Sequence, residues 1–481
     1  MKYPGFIGNS DESQSVIADC EFTMNWYFEQ LPKGGKNSGA LYPTPGFSEW
    51  LSVTDIGLRA GLEINGRVFA VVGGGFYELF SSATSTRWGA VVQDSNPAQI
   101  SANGDAGGQL FISSGNNGYC FDLTSNVLTL ELTGDCTMCG MLDGYFIAFD
   151  INTSTIRLSD LNDGTSWDPT QFAQRSTAPD DWQCMVVVQQ PAGIWLIGSK
   201  TGEVWYDSGE FPFPFTLIQG AQFRFGIAAP FAFGLGGNRM TWLSRNDDGS
   251  GIVVSAQGYS PQRISTYAVE LAFQEYSRTA TIADSEMLTY QQNGHVFNVL
   301  SFPQANATWG YDQTTGVWHQ RGYWNTALMQ FDFWQPRICF NAFGKQLVGN
   351  RMTGTLSEMD TTFATEADGN AIRRVRRAPA INQENYKIVF RRFELYLQTG
   401  IGILSGQGNI PIVMMRTSDD GGQTWLPERQ ASAGKMGVFY TRVYWQRMGA
   451  ARDRVFEVSV SDPVPWRLID AYLNNDSPGR A

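Results

Sequence analysis

Marked by polarity, the chain falls into short apolar runs rich in Val, Ile, Phe, Tyr, Trp and Thr, separated by clusters of Gly, Asn, Asp and Ser. β-branched and aromatic side chains fit a pleated, half-buried surface, and the polar clusters supply the left-handed backbone of tight reversals. The pattern predicts hairpins. Residues 67–72 and 76–79 flank Gly73-Gly74-Gly75, and residues 109–113, 118–123 and 127–132 repeat the idea around Asn116-Asn117-Gly118. Further pairs are expected at 145–150 with 155–158, 193–199 with 203–207, and 239–244 with 251–257 around the 246–249 turn. The series ends with 295–302, 308–312 and 317–320, then 345–350 with 355–359. Helix is expected only at 281–291 and 14–29.

Hairpin centres recur at intervals of roughly 35 to 60 residues, near the 40 to 50 of β-propeller blades, each of which needs neighbours to cover both its faces. The fold class expected is all-β: a β-propeller of six or seven blades with an additional C-terminal β region. A β-sandwich array is the rival. Residues 1–50, with an extended Leu41-Tyr42-Pro43-Thr44-Pro45-Gly46-Phe47 segment and a Gly/Lys loop at 32–39, are expected as an N-terminal arm. Residues 51–372 are expected as the propeller, and 373–481 as a separate small domain or blade extension.

Two turn motifs refine this picture. Ser418-x-Asp420-x-Gly422-x-Thr424-Trp425 is a full Asp-box, in which the Asp caps turn amides and the Trp packs beneath the hairpin; a looser copy runs from Asp160 to Trp167. Tyr311-Asp312-x-x-Thr315-Gly316-x-Trp318 resembles the strand-turn-strand of kelch-like blades. Such motifs speak for fold, not activity.

Composition agrees. The 481 residues include 52 Gly, and only 17% are charged against a usual quarter, which excludes a coiled coil. Met1 to Ser10 has no continuous apolar stretch and does not read as a signal peptide. No run approaches the ~18 apolar residues of a membrane span, so the chain is expected to be soluble and made in the cytosol. Six cysteines are too sparse for a disulfide scaffold and read as reduced core thiols.

Charge is uneven. The net charge is −12. Between Arg373 and Arg467, however, 13 Arg and 2 Lys face 4 Asp and 4 Glu, so this segment carries +7 and the remainder −19. Arg373, Arg374, Arg376, Arg377, Arg391 and Arg392, with Phe390, Phe393, Tyr440, Tyr444 and Trp445 interleaved, form the candidate protein-interface or DNA-proximal site. Arg442, Arg447, Arg452 and Arg454 extend it. Arginine with aromatics is the composition of interface anchors, and a −19 region on the same chain favours a protein partner over phosphate.

Catalytic candidates are thin. Cys136-x-x-Cys139 lacks the second pair of a structural zinc site, and two histidines, His295 and His319, give a metal or Ser/His/Asp triad little to draw on. Gly73-Gly74-Gly75 joins two strands and opens no helix, so it is no phosphate loop. The Asp-box raises a sialidase-like hydrolase, but Arg263-Ile264 is followed by Ser265 where that family has Pro. No catalytic residue, cofactor or metal is expected.

The motif order carries a resemblance. Trp26-Tyr27, Leu41 to Gly46, Gly198-Ser199-Lys200-Thr201-Gly202-Glu203-Val204-Trp205-Tyr206 and Arg263-Ile264-Ser265-Thr266 lead to Gly294-His295-x-Phe297 and Phe302-Pro303. Thr308-Trp309-x-Tyr311-Asp312, Thr315-Gly316-x-Trp318-His319-x-Arg321 and the Asp-box complete the series. Over about residues 20 to 470 it resembles the packaged-DNA stabilisation proteins of short-tailed bacteriophages, the tail hub or nozzle family. The resemblance implies a non-enzymatic virion protein, made in the host cytoplasm, that forms a ring, typically a hexamer. The ring would sit below the portal and adaptor (head-completion) proteins, close the channel on packaged DNA without specific binding, and anchor a tail needle, fibres or spikes. The alternatives are a propeller glycan hydrolase and a non-catalytic carbohydrate-binding tail protein.

Overall fold

A computed structural model describes residues 1–32, 37–175, 177–211, 213–246 and 248–474. Residues 33–36 of the expected Gly/Lys loop, Asp247 of the 246–249 turn, and 475–481 of the C-terminal region lie outside them. The alternating runs form antiparallel strands, and each Asn/Gly turn does its expected work. Asn65, Asn116, Asn126, Asn152 and Asn293 all adopt positive φ, where a branched residue would be strained.

Among the described residues, seven four-stranded antiparallel units are formed by residues 58–90, 99–133, 138–174, 182–223, 233–263, 286–320, and 336–360 together with 46–52. This is a β-propeller of seven blades, the upper of the two blade numbers expected. The first strands of neighbouring blades pack side by side, and the circle closes where Pro336–Ala342 meets Leu58–Ile64. Apolar clusters fill the wedges between blades. One holds Phe69, Phe76, Ile112 and Phe121 between the first two blades; another runs from Met138 through Trp182 and Trp195 to Trp242 across the third to fifth.

The last blade takes its outer strand from the beginning of the chain. Gly46–Ser52 pairs antiparallel with Thr355–Asp360, Gly46 opposite Asp360 and Phe47 opposite Met359. The preceding residues join the C-terminal region. Trp26–Gln30 and Gly39–Pro43 continue into a five-stranded sheet with Leu468–Leu473, Arg392–Leu397 and Val443–Gln446. A second sheet, carrying Asp453–Val460, Ile412–Ser418 and Arg429–Ser432, faces it. Trp26, Leu41, Phe393, Trp445, Phe456, Val458 and Trp466 form the shared core of this β-sandwich, with Tyr3 and Phe6 packed into it.

The two units share backbone. Cys20–Met24 touches the sixth blade through Met24 opposite Gln320 and pairs on its other side with Arg374–Arg377, which pairs in turn with Asp453–Val460. One eleven-stranded sheet therefore runs from the sixth blade into the sandwich.

Both expected helices are corrected. The main helix is Tyr267–Thr279, burying Val269 and Phe273, with a single turn at Gly104–Gly107. The 281–291 stretch instead contains Glu286–Gln292, a strand whose alternate residues Leu288 and Tyr290 face the core. In 14–29, Asn25 at φ +60° breaks the chain into two strands that serve different sheets.

Circular closure predicts that Phe47→Ala, which deletes a buried ring 5.9 Å from Trp334 on the closing strand, costs about 3–5 kcal/mol. The exposed outer-strand change Val127→Thr stays within about 0.5 kcal/mol. Denaturant midpoints of the two variants check the contrast.

Candidate functional site

A strand paired on both edges and covered on both faces has no side that reaches water. Arg374–Arg377 is such a strand, and it fixes the fate of two of the six singled-out arginines, Arg374 and Arg376. Arg374 and Arg376 are 1% and 0% exposed. Arg376 donates from Nε to Phe6 O (2.7 Å), from Nη1 to Asn9 O (2.7 Å) and Thr23 Oγ1 (2.8 Å), and from Nη2 to Gly5 O (2.9 Å) and the Glu21 carboxylate. Burial pulls its pKa below the ordinary arginine value while Glu21 pulls it back up. Arg374 donates to Ile372 O (3.1 Å) and Thr44 O (3.3 Å), and burial lowers it to about 10 against the pull of Glu366. Glu366, itself buried, is raised to about 7 by desolvation, opposed by Arg321. The surface role expected of Arg374 and Arg376 is therefore corrected: both guanidinium groups hold the chain's own segments together.

The other four differ in place. Arg373 lies 4.3 Å from the Trp324 ring centroid. Arg377 reaches Glu457 (3.0 Å) and Glu12 (3.7 Å) and covers Phe22 and Trp425. Arg392 pairs with Glu394 (3.1 Å) and stacks 3.9 Å from Tyr444, and Arg391 beside it is exposed. Arg416, Arg442 and Arg454 pair with Glu457, Glu394 and Asp419. Most of the basic excess is thus consumed inside the sandwich, and the arginines left on the surface include Arg391, Arg447 and Arg452.

The Asp-box folds as its spacing requires. Asp420 accepts from Thr424 N (2.9 Å) and from the hydroxyls of Ser418 (2.6 Å) and Thr424 (2.5 Å). These bonds, Ser418 first, bring its carboxyl down to about 2. Gly422 at φ +95° donates its N–H to Ser418 Oγ (2.8 Å), and Trp425 lies beneath Arg416 and Arg377 at 4.5 and 5.1 Å. In the looser copy, Ser166 Oγ donates to Asp160 (2.5 Å) and Trp167 Nε1 to Gly164 O (2.8 Å).

A cavity of about 640 Å³ opens at one end of the propeller axis, lined mainly by residues from the first, sixth and seventh blades and their loops, with Ile151 of the third blade and Phe231 ahead of the fifth. Charged pairs line it. Glu286 bridges Arg337 (2.8 Å) and Arg351 (3.1 Å), Arg337 also donates to Ser95 O, and Arg59 pairs with Asp94. The sequence reading missed these arginines. No local signal marks them, since Arg59 and Asp94 are 35 residues apart, Glu286 and Arg337 51, and Ser95 and Arg337 242.

Both histidines are buried. His295 bridges Asp312 (Nδ1, 2.7 Å) and Glu29 (Nε2, 2.8 Å), tying the N-terminal segment to the sixth blade. Burial lowers its pKa, but the two carboxylates outweigh it and the net direction is up. His319 is driven down to about 3 by burial and then Arg321. Cys136 and Cys139 are buried and desolvation raises both thiols, Cys139 to about 11. Among the described residues no three His, Cys, Asp or Glu side chains converge as a metal site, and no helix is long and apolar enough to cross a membrane.

Two family models match in succession. The first, described as bacteriophage P22 Gp10, beta-propeller, covers residues 19–364; the second, bacteriophage P22 Gp10, beta-sandwich, covers 373–475. No curated protein sequence matches. Among solved structures, the chain is similar to the N-terminal domain of Nup159 at 12% identity and a TM-score of 0.41, over 70% of this chain and 98% of that one. It is also similar to PorZ, a surface component of the type-IX secretion system of Porphyromonas gingivalis, at 10% identity and a TM-score of 0.35, over 73% and 45%.

The buried network generates two expectations. Arg376→Met strands the Glu21 carboxylate and three carbonyls and costs about 3–5 kcal/mol; chemical denaturation measures it, and adding Glu21→Gln recovers part of the loss. His295 gains affinity for its proton on folding, so its contribution is complete below the unfolded pKa of about 6.5 and fades as pH climbs through the raised value. The stability gap between wild type and His295→Gln therefore narrows from pH 6 to pH 9, as thermal melts across that range would read.

Proposed function

The chain belongs to the bacteriophage P22 Gp10 family, and from that membership we propose that it is a tail hub or nozzle subunit of a short-tailed phage. It assembles as a ring, six copies by family habit, below the portal and adaptor. The ring closes the tail channel, retains the packaged genome and offers attachment to a needle, fibres or spikes. The protein is made in the host cytoplasm, ends in the virion, and performs no catalysis. The observation that carries this reading is the succession of both family models, propeller then sandwich, along nearly the whole chain.

The distribution of charge supports it. A wall that lets a duplex slide must not neutralise many phosphates, because every phosphate contact adds affinity through counterion release. The buried arginines of the seam and the paired arginines of the sandwich are withdrawn from that task, and the net charge of −12 disfavours adhesion of the duplex to the wall. The axial cavity of the propeller, about 640 Å³, is far too small for a duplex, so in this reading the genome's path runs between copies of the chain. The division at residues 51 and 373 belongs to the same proposal: 51–372 form the hub body and 373–481 the basic C-terminal β region, with 1–50 joining the two.

Cryo-EM of isolated tails tests this reading. The expected map has the chain in a ring around the channel; a peripheral position, or release of reducing sugars from host polysaccharide by the purified protein, would overturn it. The purified chain is expected to bind duplex DNA more weakly than about 10⁻⁴ M at physiological salt, the weak end of ordinary non-specific binding, measured by anisotropy of a labelled duplex.

A further inference from the structure

One edge of the sandwich carries an open groove of about 820 Å³. Its lining combines apolar Val389, Phe390 and Ala450 with basic Arg391, Arg392 and Arg447. Arg392 is held by Glu394 and Tyr444, whereas Arg447 has no ion-pair or side-chain hydrogen-bond partner among the described residues. Arg447 also sits at φ +58°, a left-handed conformation that disfavours a long side chain, and its N–H is bonded to Arg391 O at 2.9 Å. Backbone of that kind persists where the surrounding structure enforces it and often marks a functional position. Here it sets Arg391 and Arg447 side by side at the mouth of the groove.

The complementary surface lies on another part of the same chain. Of the large apolar side chains described, only Phe211 (94%) and Tyr440 (96%) are more than nine-tenths exposed. Tyr440 stands near Lys435 and Arg442 in sequence, but Phe211 closes the acidic loop Asp207-Ser208-Gly209-Glu210-Phe211. Tyr206 before it is also exposed. Asp143 from the third blade adds a further carboxylate: its pKa is raised by burial and then by Asp207, and no described cation pairs with Asp143, Asp207 or Glu210. The loop thus presents an aromatic anchor flanked by uncompensated negative charge, and the groove presents apolar side chains flanked by arginine.

We infer that the Arg391–Arg447 groove of one copy receives the Asp207–Phe211 loop of a neighbouring copy. This rests on the ring reading and names the surfaces it would use. Loop and groove lie on different units of the chain, the fourth blade and the sandwich edge, so the contact is head-to-tail. Contacts of that kind generate rings when the rotation closes. Aromatic and arginine anchors meeting across a desolvated centre are the usual source of interface energy, and opposite charge sets the register and speeds encounter.

The test uses the full-length chain and a fluorescein-labelled peptide of residues 205–211. The peptide is expected to bind wild type, and Arg391→Glu with Arg447→Glu to weaken binding at least tenfold at unchanged melting temperature. Raising salt to 0.5 M weakens it as well, as does Phe211→Ser in the peptide. A peptide carrying Asp207→Lys and Glu210→Lys should fail on wild type and recover on the reversed groove. Should the reversed chain not fold, that charge-reversed peptide on wild type gives the same readout. Absence of peptide binding, indifference to either reversal, or binding of a short DNA duplex in the groove instead would overturn the inference. A tail map showing a ring with this groove open to solvent overturns it while leaving the ring reading intact; a map with no ring of this chain overturns both.

Discussion

A guanidinium group at 0% exposure must find acceptors for all of its N–H groups or leave a buried charge unsolvated. Arg376 finds them in Gly5, Phe6, Asn9, Thr23 and Glu21. Four of these five acceptors are backbone carbonyls or side chains from the first 23 residues that no local pattern would order, and the fifth is a carboxylate that would otherwise be buried alone. The side chain therefore does for the N-terminal segment what a hydrophobic cluster does elsewhere. With that segment fixed, Cys20–Met24 sits between the sixth blade and the C-terminal strands. The propeller and the sandwich then share a sheet, and their relative placement follows from backbone hydrogen bonds. Glu366, Arg321 and Arg374 extend the same buried polar seam toward the last blade.

The parts legible in the sequence are those set by neighbours in sequence. Hairpins such as 67–72 with 75–80 announce themselves because turn chemistry and alternation lie within a dozen residues, and the Asp-box holds because its four polar partners sit within eight. The closing strand Gly46–Ser52 carries no mark of its destination, because its partner lies some three hundred residues away and any half-buried strand could occupy that edge. The helix was misplaced by about a dozen residues for a related reason. Tyr267–Thr279 and the strand Glu286–Gln292 have similar apolar content, and only packing against the fifth and sixth blades separates them.

Charge was the least legible property. Counting arginines between 373 and 467 locates a basic segment, but the count is blind to depth. Arg374 and Arg376 alternate with Val375 in a strand and read as one polar face of a surface ladder; pairing on both edges and cover on both faces make them interior. Arg391 and Arg447, far apart in sequence, become adjacent because the chain beyond each strand end pairs back on the other. The sequence pointed to the right region, and the structure redistributes its roles: internal cations at one end of the strand set, a basic groove at the other.

The borrowed outer strand of the seventh blade also has a consequence for time. Gly46–Ser52 leaves the ribosome early, yet Thr355–Asp360 follows only after some three hundred further residues, about 15 to 60 s at ordinary rates of synthesis. Until then the ring of blades stays open, with unpaired edges at both ends and the N-terminal segment without its arginine. A chain that stops short of residue 360 has no closed form to adopt. The fold thus couples closure of the propeller to the near-completion of synthesis, and a truncated copy is left with open strand edges.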